Sequence, residues 1–216
     1  YRGVPNQTKI YTPDYQALAI SQPPLETPSA AENIKQTSGV VLFDFANVNQ
    51  YQATEIQSLK EAIENRGGKV ETITDSSLLS YKLKYASTYV VISPVYAFSE
   101  DETSSIQDYV NRGGRLLVFT DATRGVLDYN PFTGSAVNYP DVGAVNPMLS
   151  PFGITINNDY LYNVEKNEGN FRNVFFDDFG KDELTFGLKQ VALYGTHSVK
   201  SPSGLTLLRG TESTLS

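Results

Sequence analysis

The residues able to do chemistry are few, and most of them follow apolar runs. Asp44 stands near the end of the run 40–45 and Asn47 and Asn49 just after it, Ser93 and Tyr96 after 89–92, and Asp121, Thr123 and Arg124 after 115–120. Where such runs are parallel strands, their carboxyl ends are where open α/β sheets bind ligands. Carboxylates, amides, a hydroxyl, a phenol and a guanidinium suit hydrogen bonding to a polar small molecule, a peptide or a sugar. The competing reading for Asp44 and Asp121 is that each caps the loop after its strand.

His197, the single histidine, is the one available imidazole base. A serine–histidine–acid mechanism would pair it with Ser93. No Gly-x-Ser-x-Gly elbow surrounds any serine, and a structural role for His197 competes with a catalytic one. The absence of cysteine excludes disulfides, thiolate nucleophiles and thiolate metal sites. One histidine leaves zinc without a ligand set. Asp177 and Asp178 fit either a calcium site or a turn between strands. The glycine pairs 67–68 and 113–114 sit where helices end, the pole that repels anions, and no phosphate-loop pattern occurs. The segment Ala46-Asn47-Val48-Asn49-Gln50 is a poor flavin-phosphate loop. No cofactor and no metal are expected.

Composition narrows the partners. Lys and Arg total 17 against 24 Asp and Glu, a net charge of −7, which argues against nucleic acid and against an anionic membrane surface. A hydrophobic fraction of 40% in 216 residues supports a sizeable core. No apolar run approaches the ~18 residues of a membrane span. The chain begins at Tyr1 and stops at Ser216, which reads as a fragment with a signal or anchor upstream. Plentiful Tyr, Asn, Thr and Ser lean towards an extracytoplasmic setting, and Asn6-Gln7-Thr8 is a glycosylation sequon.

The elements that must position these residues follow from periodicity. Residues 1–38, punctuated by Pro5, Pro13, Pro23, Pro24 and Pro28, read as an extended arm or linker, and 39–216 as a single α/β domain. Val40-Val41-Leu42-Phe43-Asp44-Phe45 is a strand buried on both faces. A helix over 54–65 follows, with Thr54-x-x-Gln57 as capping box, Ile56, Leu59 and Ile63 as apolar stripe, and Asn65-Arg66-Gly67-Gly68 as terminator. After a strand at 69–73 the unit repeats: strand 89–92, capping box Ser99-x-x-Glu102, helix 100–111 with Ile106, Tyr109 and Val110 inward, terminator Asn111-Arg112-Gly113-Gly114, strand 115–120. The repeat predicts a parallel sheet in the order 2-1-3-4. Residues 122–145 read as a long irregular loop or lid carrying Tyr129, Phe132 and Tyr139. These rings would either supply contact area for a sugar or peptide or plug the loop onto the core. Asn146-Pro147 opens a short helix closed by Gly153. Short strands at 154–156, 174–176, 190–194 and 205–208 extend or cover the sheet, some antiparallel.

The order strand, capped helix, Arg66-Gly67-Gly68, strand, Ser93-Pro94 before a helix, then Gly113-Gly114-Arg115-Leu116-Leu117-Val118-Phe119-Thr120-Asp121 resembles the class I glutamine-amidotransferase-like superfamily. It is most similar to a non-catalytic branch, which includes GIFT domains of gliding-motility and intraflagellar-transport proteins and a domain of unknown function in membrane-anchored prokaryotic proteins. Asn146-Pro147-Met148-Leu149-Ser150-Pro151-Phe152-Gly153-Ile154 resembles that branch's Asn-x-Leu-Leu-x-x-Phe-Gly-Ile segment. The resemblance implies a flavodoxin-like three-layer sandwich with a mainly parallel sheet and extra C-terminal strands. Catalytic members carry a cysteine elbow after the fourth strand and a late His-x-Glu pair. Thr120-Asp121-Ala122-Thr123 and His197-Ser198-Val199 stand in those places, so glutamine hydrolysis is not expected. The resemblance implies a non-enzymatic binding or assembly domain, the extracytoplasmic part of a membrane-anchored protein, recognising a sugar, peptide or partner protein. The alternative is a serine/threonine-type hydrolase using Ser93 and His197.

Overall fold

The computed structural model describes residues 39–216. The chain divides into units 1–35 and 36–216, and all described residues belong to the second. The expected arm over 1–38 and its sequon at Asn6 lie outside the described residues.

The elements run β1 Val40–Asp44, α1 Gln57–Asn65, β2 Lys69–Ile73, α2 Leu79–Lys82, β3 Ala86–Ile92, α3 Glu100–Asn111 and β4 Arg115–Phe119. There follow β5 Gly125–Tyr129, β6 Ala136–Pro140, α4 Val142–Leu149, β7 Thr155–Ile156, β8 Asn173–Phe176, β9 Asp178–Phe179, β10 Val191–Tyr194, β11 Val199–Lys200 and β12 Leu208–Arg209. The first four strands form one sheet in the order β2-β1-β3-β4, every pair parallel, as the repeat predicts.

Alternation along these strands feeds two apolar clusters. Leu42, Tyr89 and Val91 pack with Leu83 and with Ile106 of α3 and Met148 of α4. Phe43 and Val90 pack on the other side with Ile56 and with Ile63 of α1. The largest members are fully buried, and burying a side chain of this size contributes roughly 1.5–3 kcal/mol.

Both helix ends close with the same hydrogen-bond pair. Gly67 N–H donates to the Glu64 carbonyl and Gly68 N–H to that of Ile63. Gly113 N–H donates to Val110 and Gly114 N–H to Tyr109. These are Schellman caps, with Gly67 at φ 81° and Gly113 at φ 92°. Gly114 is required for another reason: a Cβ there would collide with the Tyr109 ring. Gly114→Ala is expected to destabilise the domain by roughly 1–3 kcal/mol through overpacking, measurable by urea unfolding.

Several expectations are corrected. The Ser99–Glu102 capping box forms, but Thr54–Gln57 does not, and α1 begins only at Gln57 without a side-chain cap. Glu55 Oε2 instead accepts the Gln52 N–H at 2.7 Å, which turns the chain through 52–56. Leu59 is 43% exposed rather than part of the core. Residues 125–140 form an antiparallel hairpin, β5 with β6, rather than an irregular lid, because 125–129 and 136–140 each hold enough extended residues to pair. Pro147 lies inside α4, which starts at Val142. Asn146 is no helix cap: its amide exchanges two hydrogen bonds, both 2.9 Å, with the Ile156 backbone. The late strands pair among themselves, β7 with β11, β8 with β10 and β9 with β12, all antiparallel. They do not extend the parallel sheet.

Candidate functional site

The loops after β1 and β3 interlock. The Asn47 carbonyl accepts from Val95 N–H at 3.0 Å and Tyr96 N–H at 3.2 Å, and the Ser93 carbonyl accepts from Gln50 N–H at 2.9 Å. Asn49 Nδ2 donates to the Ile92 carbonyl at 2.7 Å. Ser93 reaches this position at φ 42°, a left-handed conformation uncommon for a residue with a side chain. Asp44 is buried and accepts from the Tyr89 hydroxyl at 3.0 Å, from Asn47 Nδ2 at 3.3 Å and from Ala46 N–H at 3.3 Å. Burial raises the Asp44 pKa and these donors partly counteract it. Burial, followed by the Asp44 charge, pushes the Tyr89 phenol far up, so this hydroxyl stays protonated.

Asp121, Thr123 and Arg124 form a second group. Asp121 Oδ1 accepts from Thr123 N–H at 2.8 Å and Thr123 Oγ1 at 2.6 Å, the capping role described above. Arg124 Nε meets Asp121 Oδ2 at 3.2 Å, and its two terminal nitrogens reach the Glu55 carboxylate at 2.6 and 3.4 Å. Arg124 thereby links the loop after β4 to the loop after β1. Of the eight candidate residues, Asp44, Asn47, Asn49 and Ser93 are buried, whereas Tyr96 and Thr123 are exposed and Arg124 and Asp121 half-buried.

The second group leads to a cluster that sequence reasoning found only in part. The Asp121 N–H donates to Asp141 Oδ2 at 2.9 Å. Asp141 Oδ1 lies 3.6 Å from His197 Nε2, and Asp159 Oδ1 lies 3.8 Å from His197 Nδ1. The imidazole is 2% exposed and the Asp141 side chain 0%. Burial alone would lower the His197 pKa; the Asp141 and Asp159 carboxylates outweigh it and raise the value above 6.5. The approach is tight: Ala122 N–H donates to the Gly195 carbonyl at 2.7 Å. A Cβ on Gly195 would collide with Asp121 Oδ1. Ser198 Oγ is held by Asp159 Oδ2 and Asn157 Nδ2. His197 thus faces two carboxylates, and among the described residues no hydrogen bond joins it to Ser93. This arrangement fastens the C-terminal segment to the end of β4. Asp141 and Asp159 stand alone in the sequence, with no spacing that couples them to His197.

His197 also borders a cavity of about 540 Å³ lined by Leu161, Phe176, Thr196, Leu207 and Arg209 among others. Asp177 lies between β8 and β9 and pairs with Lys166 at 2.9 Å, and Asp178, the first residue of β9, pairs with Arg209 at 3.6 Å. On the β5–β6 hairpin, Tyr129 is 64% and Phe132 96% exposed; these two rings do not plug the hairpin onto the core.

A family model described as "ABC-type uncharacterized transport system" matches residues 26–173. A solved structure described as "mmIFT52 N-terminal domain" is similar at a TM-score of 0.63 and 16% identity, covering 81% of this chain and 74% of that chain. At that identity the likeness concerns the fold alone. No curated protein matches. The family match corrects the assignment to the class I glutamine-amidotransferase-like superfamily: the motifs in β1–β4 that suggested it are strand ends and helix caps, which any repeated strand–helix unit uses.

Proposed function

From the premise that this chain belongs to the family described as ABC-type uncharacterized transport system, we propose that it is a non-catalytic auxiliary domain that works by recognising a partner protein, peptide or sugar outside the cytoplasm. Family membership ties the chain to a transport process. Among the described residues no helix is long and apolar enough to cross a membrane, so on this reading attachment comes from outside 39–216. We read the sheet with its helices as a flavodoxin-like three-layer sandwich with extra C-terminal strands.

The observation that carries the recognition role is the exposed aromatic hairpin. Phe132 at 96% and Tyr129 at 64% exposure, with Leu127 at 70%, offer apolar contact area left largely uncovered by the described residues. Aromatics of this kind supply much of the energy at binding surfaces. The non-catalytic reading is favoured over a serine/threonine-type hydrolase by the placement of His197, which faces Asp141 at 3.6 Å and Asp159 at 3.8 Å; among the described residues no hydrogen bond joins it to Ser93.

The double substitution Tyr129→Ala/Phe132→Ala tests this reading. Unfolding stability should change by no more than about 0.5 kcal/mol, as for surface residues, while activity of the cognate transport system falls. Unaltered transport would remove the hairpin from the account. Hydrolysis of ester, amide or glutamine substrates that is abolished by His197→Ala would overturn the non-catalytic reading.

A further inference from the structure

The parallel sheet has two edges of opposite character. β2 reads Lys69-Val70-Glu71-Thr72-Ile73, and Glu71 pairs with Lys69 at 2.7 Å and Lys82 at 2.8 Å. Charges on an edge strand discourage further pairing. β4 reads Arg115-Leu116-Leu117-Val118-Phe119, with no charge after its first residue, no proline and no bulge. Among the described residues no strand pairs with its outer side.

The direction of the open backbone groups is fixed by the inner ones. The Phe119 carbonyl accepts from Ser93 N–H at 2.8 Å, so Phe119, Leu117 and Arg115 direct their backbone groups towards β3. Alternation along the strand then turns the amides and carbonyls of Leu116 and Val118 outward. Both faces beside this edge are apolar. Leu117 and Phe119 are 45% and 49% exposed. On the opposite face Leu116 and Val118, with Val110, Leu149, Phe152 and Ile154, line a groove of about 330 Å³.

We propose that this edge docks a second copy of the chain, β4 pairing antiparallel with β4 about a two-fold axis at Leu117. The pattern is self-complementary, as an isologous contact requires. The two outward-facing residues are symmetric about Leu117, so Leu116 of each copy exchanges a pair of hydrogen bonds with Val118 of the other. Leu117 meets its own counterpart at the non-hydrogen-bonded position, and Arg115 stands opposite Phe119, where a guanidinium stacks on a ring. No carboxylate lies within the strand, whose one charge is the Arg115 guanidinium, so two chains of net charge −7 meet without opposed carboxylates. The result joins two four-stranded sheets into one.

The lack of native cysteine gives a clean test. Opposed residues at a non-hydrogen-bonded antiparallel position have Cα atoms about 4.5 Å apart, within disulfide range. Oxidised Leu117→Cys protein should form a disulfide-linked dimer on non-reducing gels, while Leu59→Cys, at a comparable 43% exposure on α1, should not. Light scattering of the cysteine-free protein should show a dimer. Val118→Pro removes an outward N–H without touching the β3 ladder and should weaken that dimer roughly tenfold or more, with the circular dichroism unchanged. A monomer at the highest attainable concentration overturns the proposal, as does Leu117→Cys cross-linking no faster than Leu59→Cys. Should Val118→Pro fail to fold, the cysteine pair still decides. A monomeric protein in which Val118→Pro weakens binding to a transport component would assign the edge to a foreign strand, and the second-copy proposal would fall.

Discussion

Asp141→Ala is expected to cost about 3–5 kcal/mol, the scale for removing one partner of a buried ion pair, against a total of roughly 5–15 kcal/mol for a domain. Asp141 is completely buried and serves two groups, accepting the Asp121 N–H and facing His197 Nε2. Its loss leaves a half-buried amide without its acceptor and an imidazole with only Asp159 opposite. Asp141→Asn keeps the shape and an acceptor for Asp121, so it should cost less. A urea midpoint for Asp141→Ala close to the unsubstituted protein would show that the C-terminal segment is held by other contacts. The same cluster sets a pH dependence. The folded His197 pKa lies above 6.5, so its contribution to stability is fully present below that pH. It is lost as pH rises through the folded value, when the proton leaves and the attraction to both carboxylates disappears. His197→Gln should remove this fall in stability on the alkaline side of pH 6.5, seen as flattening of the urea midpoint against pH. A fall that persists unchanged would assign it to another group.

Tyr89→Phe is the second large effect, roughly 1.5–3 kcal/mol as for a hydrogen bond to a charged group. The Tyr89 hydroxyl donates to Asp44 Oδ1 at 3.0 Å in a fully buried position, and the substitution removes the donor while the carboxylate stays. Burial raises the folded Asp44 pKa, so ionised Asp44 weighs against the folded state at pH above that value, and loss of the Tyr89 donor deepens the penalty. The cost of Tyr89→Phe is therefore expected to be larger at pH 7 than at pH 4, where Asp44 holds more protons. Equal costs at the two pH values would mean that Asp44 keeps the same charge at both.

The parallel half of the fold was legible because its signals are local. Continuous apolar runs mark strands buried on both faces, and paired glycines after Asn-Arg mark Schellman caps, each set within a few residues. The start of α1 was misread for a long-range reason: Glu55 is engaged by Gln52 N–H and by Arg124, 69 residues away, and the turn through 52–56 follows from that. The β5–β6 hairpin was missed because its Pro131 and Gly134 sit in the connection between strands, where they read as an irregular loop. The candidate residues were found as strand-end positions, but position alone does not say which way a side chain points. Asp44, Asn47 and Ser93 turned inward to tie the loops. Asp141 and Asp159 carry no motif, and only folding brings them to His197 from 56 and 38 residues away in the numbering of the chain.

The claim that this domain acts by recognition through its hairpin is tested most directly by a photoreactive phenylalanine analogue in place of Phe132, expressed in the protein's own cell and irradiated there. Mass spectrometry should identify an adduct with a component of an ABC-type transport system, and the same analogue at Leu59 should yield none. Absence of any adduct at Phe132, or the same adducts from both positions, would contradict the account.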